Sequence, residues 1–192
     1  MSCGGCCCCC CIIILVLLVL SIIFFIVLRQ FAPTKTLRFT VTYVKLNTFD
    51  FRESMSGNGT LYYDIDFSTI VENPNPWSNV HFDEFEAIAS YKNQDLNNVT
   101  VHPFTIAHQD TEAVPTSFKG KRTMALPGAE VSKFKSNTTA IFNLLLDIYI
   151  RSSCKMLLYE QHYQMKCYLK VPKHSTGEKF ETTKCRRIYI FD

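Results

Sequence analysis

Leu61-Tyr62-Tyr63-Asp64-Ile65-Asp66-Phe67-Ser68 is the stretch that decides the fold. Leu61, Tyr63, Ile65 and Phe67 alternate with Tyr62, Asp64, Asp66 and Ser68, a period of two that suits a half-buried strand. On the N-terminal side, Leu37, Phe39, Val41 and Tyr43 alternate with Arg38, Thr40 and Thr42. Ser54–Gly59, with its Asn58-Gly59 turn signal, separates the two runs. On the C-terminal side, Asn73-Pro74-Asn75-Pro76 stops the strand, because neither proline can donate to a ladder.

Further runs repeat the pattern. Val80–Tyr91 reads as extended, Asn93–Asn98 as a polar turn, Glu112–Leu126 as another extended run and Pro127-Gly128 as a turn. Leu144, Leu146, Ile148 and Ile150 alternate along one run, and Met165, Cys167, Leu169 and Val171 along the next. Ile188 and Ile190 end the chain between Arg187, Tyr189 and Phe191. No long amphipathic helix is read after residue 30. About seven strands with turns between them give the expected fold: an all-β antiparallel sandwich, immunoglobulin- or fibronectin-III-like.

The N-terminus has a different composition. Cys6, Cys7, Cys8, Cys9, Cys10 and Cys11 run into Ile12–Leu28, apolar except for Ser21, and no charge precedes Arg29. Seventeen residues of helix reach roughly 25 Å, near the lower limit for a bilayer core, and the cysteines lengthen the stretch. The reading is a single N-terminal transmembrane helix. A cleaved signal peptide fits less well, since there is no basic leader and Gln30-Phe31-Ala32-Pro33 is a poor cleavage site. The consecutive cysteines lack metal-ligand spacing; S-palmitoylation is the expectation, with small apolar helix residues as the plainer alternative.

The domain reading is therefore 1–11 cysteine-rich and cytosolic, 12–28 membrane-spanning, 29–36 stalk and 37–192 extracytoplasmic sandwich. Arg29, Lys35 and Arg38 argue against that orientation by the positive-inside rule. Three glycosylation sequons, at Asn58, Asn98 and Asn137, argue for it, each falling in a polar gap between strand-like runs. The expected location is the plasma membrane, single-pass, with the N-terminus cytosolic.

Cys154, Cys167 and Cys185 are the cysteines of the body. Cys167 and Cys185 lie in two C-terminal runs separated by the polar turn Lys173–Lys179, so a disulfide across a hairpin is expected. Cys154 is then the odd thiol; three reduced, buried cysteines are the alternative. Trp77, just after the Asn-Pro-Asn corner, is expected to cover one end of the core.

Chemistry is hard to find. The five histidines are scattered without metal spacing, and no nucleophile elbow, phosphate loop or zinc-protease motif occurs. Asp64 with Asp66, and Asp83 with Glu84 and Glu86, are i, i+2 neighbours on strands and read as a wet face. Lys119-Gly120-Lys121-Arg122 reads as a basic turn. A net charge of +3 gives no case for nucleic acid. Neither catalysis nor a cofactor is expected.

The ordered features carry a resemblance. The N-terminal apolar segment, Asn73-Pro74-Asn75, Ala89-Ser90-Tyr91-Lys92, Pro103-Phe104 and Lys166-Cys167-Tyr168-Leu169-Lys170-Val171 resemble the plant harpin-induced-like and non-race-specific-disease-resistance-like proteins. These belong with the late-embryogenesis-abundant hydroxyproline-rich glycoproteins, whose group-2 domain would cover about 61–172. The resemblance implies a non-catalytic interaction or signalling module of plant defence at the membrane–wall interface. It implies membrane lipids, membrane receptors or other defence proteins, and cell-wall polymer as partners. A membrane-tethered lipid-binding or lipid-transfer module is the alternative. The family's Asn-Gly-Asp tripeptide is absent, and Arg186–Asp192 gives no tail for a lipid anchor.

Overall fold

The computed structural model describes residues 4–31, 36–53, 58–135, 140–154, 159–173 and 179–188. The chain divides into two units, Met1–Thr36 and Leu37–Asp192.

The first unit contains α1 (Gly4–Phe31), whose described side chains from Ile12 to Val27 are exposed. The membrane span expected over 12–28 is corrected: among the described residues, no helix is long and apolar enough to cross a membrane. The transmembrane and signal-anchor readings fall with the span, as does single-pass plasma-membrane placement with a cytosolic N-terminus.

The second unit is a β-sandwich. Its strands are β1 (Arg38–Glu53), β2 (Gly59–Glu72), β3 (Val80–Tyr91), β4 (Gln94–Val101) and β5 (Phe104–Ile106). They continue with β6 (Thr111–Met124), β7 (Ile141–Cys154), β8 (Tyr159–Pro172), β9 (Thr183–Lys184) and β10 (Arg186–Ile188). One sheet has the order β6-β2-β1-β9 and the other β10-β8-β7-β3-β4, with β5 beside β3. Every pairing is antiparallel. The order β1-β2-β6 against β4-β3-β7-β8 corresponds to strands A-B-E facing C′-C-F-G of an immunoglobulin-type sandwich.

Alternation places the core. Along β2, Leu61, Tyr63, Ile65, Phe67 and Val71 are buried, while their neighbours are only partly covered. The two inner faces meet through aromatic rings. Phe49 of β1 lies 4.8 Å from Phe142 of β7 and 5.3 Å from Tyr91 of β3, both edge-on. Phe39 meets Phe82 at 6.5 Å and Tyr163 at 6.3 Å. Such edge-to-face pairs add about 0.5–1.5 kcal/mol each beyond their buried area.

Strand β1 departs from simple alternation. Register shifts at Val41/Tyr43 and Leu46/Thr48 insert extra residues, so the inward set runs Phe39, Val41, Val44, Leu46, Phe49. Tyr43, expected on the inward side, is therefore exposed. Three other expectations also change. Asn93–Asn98 is not a turn: the chain reverses at Lys92-Asn93 and β4 begins at Gln94. Lys119–Arg122 lies inside strand β6. Trp77 is 63% exposed and lies outside the core.

A short helix, α2 (Gly128–Lys135), follows Pro127, whose carbonyl accepts the amides of Glu130 and Val131 at 2.8 and 3.1 Å. Glu130 in the first turn and Lys133 and Lys135 in the last suit the helix dipole. Phe134 packs against Phe142 at 4.9 Å and Phe49 at 5.6 Å, so α2 closes that end of the sandwich.

Candidate functional site

The outward face of the larger sheet carries a groove of about 410 Å³, lined by Ser90, Lys92, Asn93, Asn143, Leu145, Tyr168 and Lys170, with Leu144 and Leu169. Its position follows from register. Ser90 of β3 lies opposite Leu145 of β7, and Leu145 lies opposite Tyr168 of β8. One step along, Asn143 lies opposite Lys170. The β3–β4 turn forms the end wall. Lys92 and Asn93 both have positive φ, 51° and 60°, the backbone of a two-residue hairpin turn.

Electrostatics at this end depend on one buried carboxylate. Glu130 Oε1 lies 2.7 Å from Lys92 Nζ and 2.8 Å from Lys133 Nζ, and Glu130 Oε2 accepts the Tyr91 hydroxyl at 2.8 Å. Burial pushes the Glu130 carboxyl up, but hydrogen bonds from Lys133, Lys92 and Tyr91 outweigh it and hold the group at about 2. Burial pushes the Tyr91 hydroxyl up, and its bond to Glu130 adds to the shift. Ser90, on the groove floor, donates to Asp95 Oδ1 at 2.6 Å. Tyr168 is 62% exposed, so its ring is open to solvent.

Asn73, Pro74 and Asn75 form a corner rather than a surface. Asn73 is fully buried, and its Nδ2 donates to the carbonyls of Ser78 at 2.8 Å and Ala107 at 2.9 Å. Its Oδ1 accepts the Asn75 amide and side-chain Nδ2 at 3.2 and 3.0 Å. Backbone bonds from Asn73 to Asp110 and from Gln109 to Asn75 complete the clamp on the loop before β6.

Cys167 and Cys185 form a disulfide. Cys185 sits between β9, which pairs with β1 of one sheet, and β10, which pairs with β8 of the other. Its amide donates to the Phe39 carbonyl at 2.9 Å. The C-terminal segment is thus a strap over the open side of the sandwich, fastened to β8 by sulfur. Arg187 of the strap lies 4.4 Å over the Tyr163 ring.

The remaining predicted positions are dispersed. Asn58 is exposed just before β2. Asn98 is exposed within β4, not in a gap, and donates to Glu86 Oε1 at 2.7 Å. Asn137 lies outside the described residues. Cys6 to Cys11 belong to α1 and Cys154 ends β7, but their side chains lie outside the described residues.

Paired acids have partners of their own. Asp66 accepts Ser117 Oγ and Asn47 Nδ2, both at 2.6 Å, and these bonds hold its carboxyl below the usual range. Asp64 pairs with Lys119 at 3.1 Å, Asp83 lies 3.6 Å from His81, and Glu84 pairs with Arg151 at 2.7 Å. Among the described residues, no three His, Cys, Asp or Glu side chains gather to hold a metal. The groove was missed in the sequence because it joins residues from three strands and a turn. The signal within it was Tyr168 on the wet side of an alternating run.

Comparison with known proteins gives one curated relative, NDR1/HIN1-like protein 10 of Arabidopsis thaliana, 24% identical over 123 residues, or 64% of this chain. The match spans about half of that relative, 53% of its length. No family model matches the sequence. A crystal structure of a protein from Archaeoglobus fulgidus aligns over 68% of this chain and 97% of its own, at 8% identity and a TM-score of 0.34. A likeness that low carries no argument.

Proposed function

We propose that this chain, which its curated relative supports as NDR1/HIN1-like at family level, is a non-catalytic interaction or signalling module of plant defence and stress responses. The relationship supports a plant defence- or stress-related protein, and it is the observation that carries the reading. Geometry adds to it: a sandwich closed by a disulfide strap and a capping helix holds an open, mixed-polarity groove on one sheet face. Sites of that kind, built on rigid strands, suit recognition. Membrane receptors or other defence proteins are the partners this reading proposes.

The alternative of an acyl chain taken between the sheets is not carried further. The space between them is occupied by Phe39, Phe49, Phe82, Tyr91 and Phe142 in ring-to-ring contact.

The test is affinity purification of the tagged chain from plant cells before and after an elicitor, with mass spectrometry of what co-purifies. Plants lacking the chain are challenged in parallel. Elicitor-dependent partners and an altered defence response are expected. An unchanged partner set, together with unaltered defence and stress responses, overturns the reading.

A further inference from the structure

We propose that two copies of this chain associate through β6, paired antiparallel with its own counterpart about a two-fold axis at Ser117. The inference goes beyond the function proposed above and does not depend on it.

β6 ends the smaller sheet: it pairs with β2, and among the described residues no strand lies beyond it. It runs for 14 residues, whereas the other outermost strands, β4, β9 and β10, have 8, 2 and 3. A long free edge offers a row of unpaired N–H and C=O groups to another strand. Pro115 fixes the phase of that row. It has no N–H to donate, so its nitrogen belongs on the open side, together with residues 113, 117, 119 and 121. Residues opposite each other in an antiparallel pair are either both bonded across it or both not. Odd-numbered positions of one copy must therefore meet odd-numbered positions of the other.

Charge names the partner. Asp110 and Glu112 are exposed at the start of β6, and Lys119, Lys121 and Arg122 towards its end. Neighbouring charges are already matched. Glu72 pairs with Arg38 at 2.9 Å, Lys119 with Asp64 at 3.1 Å, and Arg52 lies 3.7 Å from Asp50. Mid-strand, Asp66 holds Ser117 and Asn47 and faces Lys45 across β1–β2. What remains, with no ion pair among the described residues, is Asp110 and Glu112 at one end and Lys121 and Arg122 at the other. An antiparallel second copy brings the acidic end of each strand to the basic end of its partner, twice. Glu112 meets Arg122 only where Ser117 meets its own counterpart. In that register Ala113 faces Lys121, Val114 faces Gly120 and Pro115 faces Lys119. Opposite charges face each other and like charges nowhere do, the arrangement that stabilises a ladder. A strand from another protein would have to reproduce both ends. The contact is self-complementary, so it closes at two copies.

The experiment uses the intact chain in a mild non-ionic detergent, which covers the exposed apolar side chains of α1. Sedimentation over a concentration series should show a monomer–dimer equilibrium. Glu112→Arg and Arg122→Glu, both at exposed positions, should each weaken the dimer by about tenfold or more at an unchanged melting temperature. An equimolar mixture of the two variants should restore it, because each then supplies the charge that the other lacks. Association through α1 would be indifferent to either charge. Hydrogen exchange should show amides of 117–123 gaining protection as concentration rises. A chain monomeric throughout, a dimer insensitive to both variants, a mixture no tighter than the variants alone, or open-ended assembly overturns the proposal. So does protection of β6 that appears only when another protein is added.

Discussion

The Tyr91 hydroxyl donates to Glu130 Oε2 at 2.8 Å, tying the last residue of β3 to the first turn of α2. Both groups are buried, and two lysines complete the carboxylate's shell. This node fixes Lys92 at the groove's end wall and holds Phe134 against the aromatic core. One buried acid thus connects the packing of α2 to the shape of the groove.

Removing that acid should loosen both. Glu130→Ala leaves the buried Tyr91 hydroxyl without its acceptor and is expected to cost about 1–3 kcal/mol in denaturant unfolding at neutral pH. The acid limb of stability carries the same signature. Glu130 is held at about 2 against a usual 4.5, so its contribution is full above pH 4.5 and is lost as pH falls through 2. Glu130→Gln should flatten that part of the pH profile. A variant with the wild-type acid limb would show that the carboxylate does not stabilise the fold.

Reduction of the Cys167–Cys185 disulfide should release the C-terminal strap. The bond closes a loop of sequence separation 18. Its removal is expected to lower stability by about 3 kcal/mol on the chain-entropy account. Hydrogen exchange should locate the loss: amides of 183–188 are expected to lose protection before those of β2 or β7. Uniform loss across both sheets would show that the strap is not a separate unit.

Sequence reasoning reached the strands and stopped at their irregularities. Leu61–Phe67 and Met165–Val171 keep a strict period of two because the extra residues at the register shifts beside β2 lie in β1, and β8 pairs with β7 without one. β1 has the same composition, yet its two register shifts turn Tyr43 outward, and no residue type at Thr42 announces the extra residue. α2 escaped because an eight-residue helix shows little periodicity, and its anchor is a charged residue that the pattern assigns to solvent. Trp77 misled for the opposite reason: a large apolar ring follows a rigid corner but remains exposed. The groove could not be read at all, since its lining comes together only through register.

Asn73 at the corner should tolerate very little. Its Nδ2 supplies short hydrogen bonds to the carbonyls of Ser78 and Ala107 and a longer one, 3.5 Å, to that of Ile106. Asn73→Asp keeps the size but replaces the donor with acceptors facing those oxygens. The expected loss is about 2–5 kcal/mol, several unmet buried groups at once. Asn73→Ala should cost less, since it removes the donor without adding a charge. If both variants unfold at the wild-type denaturant midpoint, the corner contributes no stability.

The final prediction concerns Gly120, which lies directly opposite Tyr63 across the β6–β2 pair. A Cβ at position 120 would sit 2.6 Å from Tyr63 Oη and 3.0 Å from Cζ, so the phenol lies over the place a side chain would take. Tyr63 is held there: its hydroxyl donates to the Leu96 carbonyl at 2.8 Å, linking β2 of one sheet to β4 of the other. Burial pushes that hydroxyl up, so it stays a donor throughout the ordinary pH range. Gly120→Ala must displace the ring or the edge strand, and the expected cost is about 1–3 kcal/mol. Tyr63→Phe alone loses only the bond to Leu96, about 1 kcal/mol. The double variant should cost less than the sum, because removing Oη takes away the closest clash. The rescue is partial, since Cζ remains at 3.0 Å. A double-mutant cycle by urea unfolding measures the coupling, and strict additivity would show that glycine is not required there for the ring's sake.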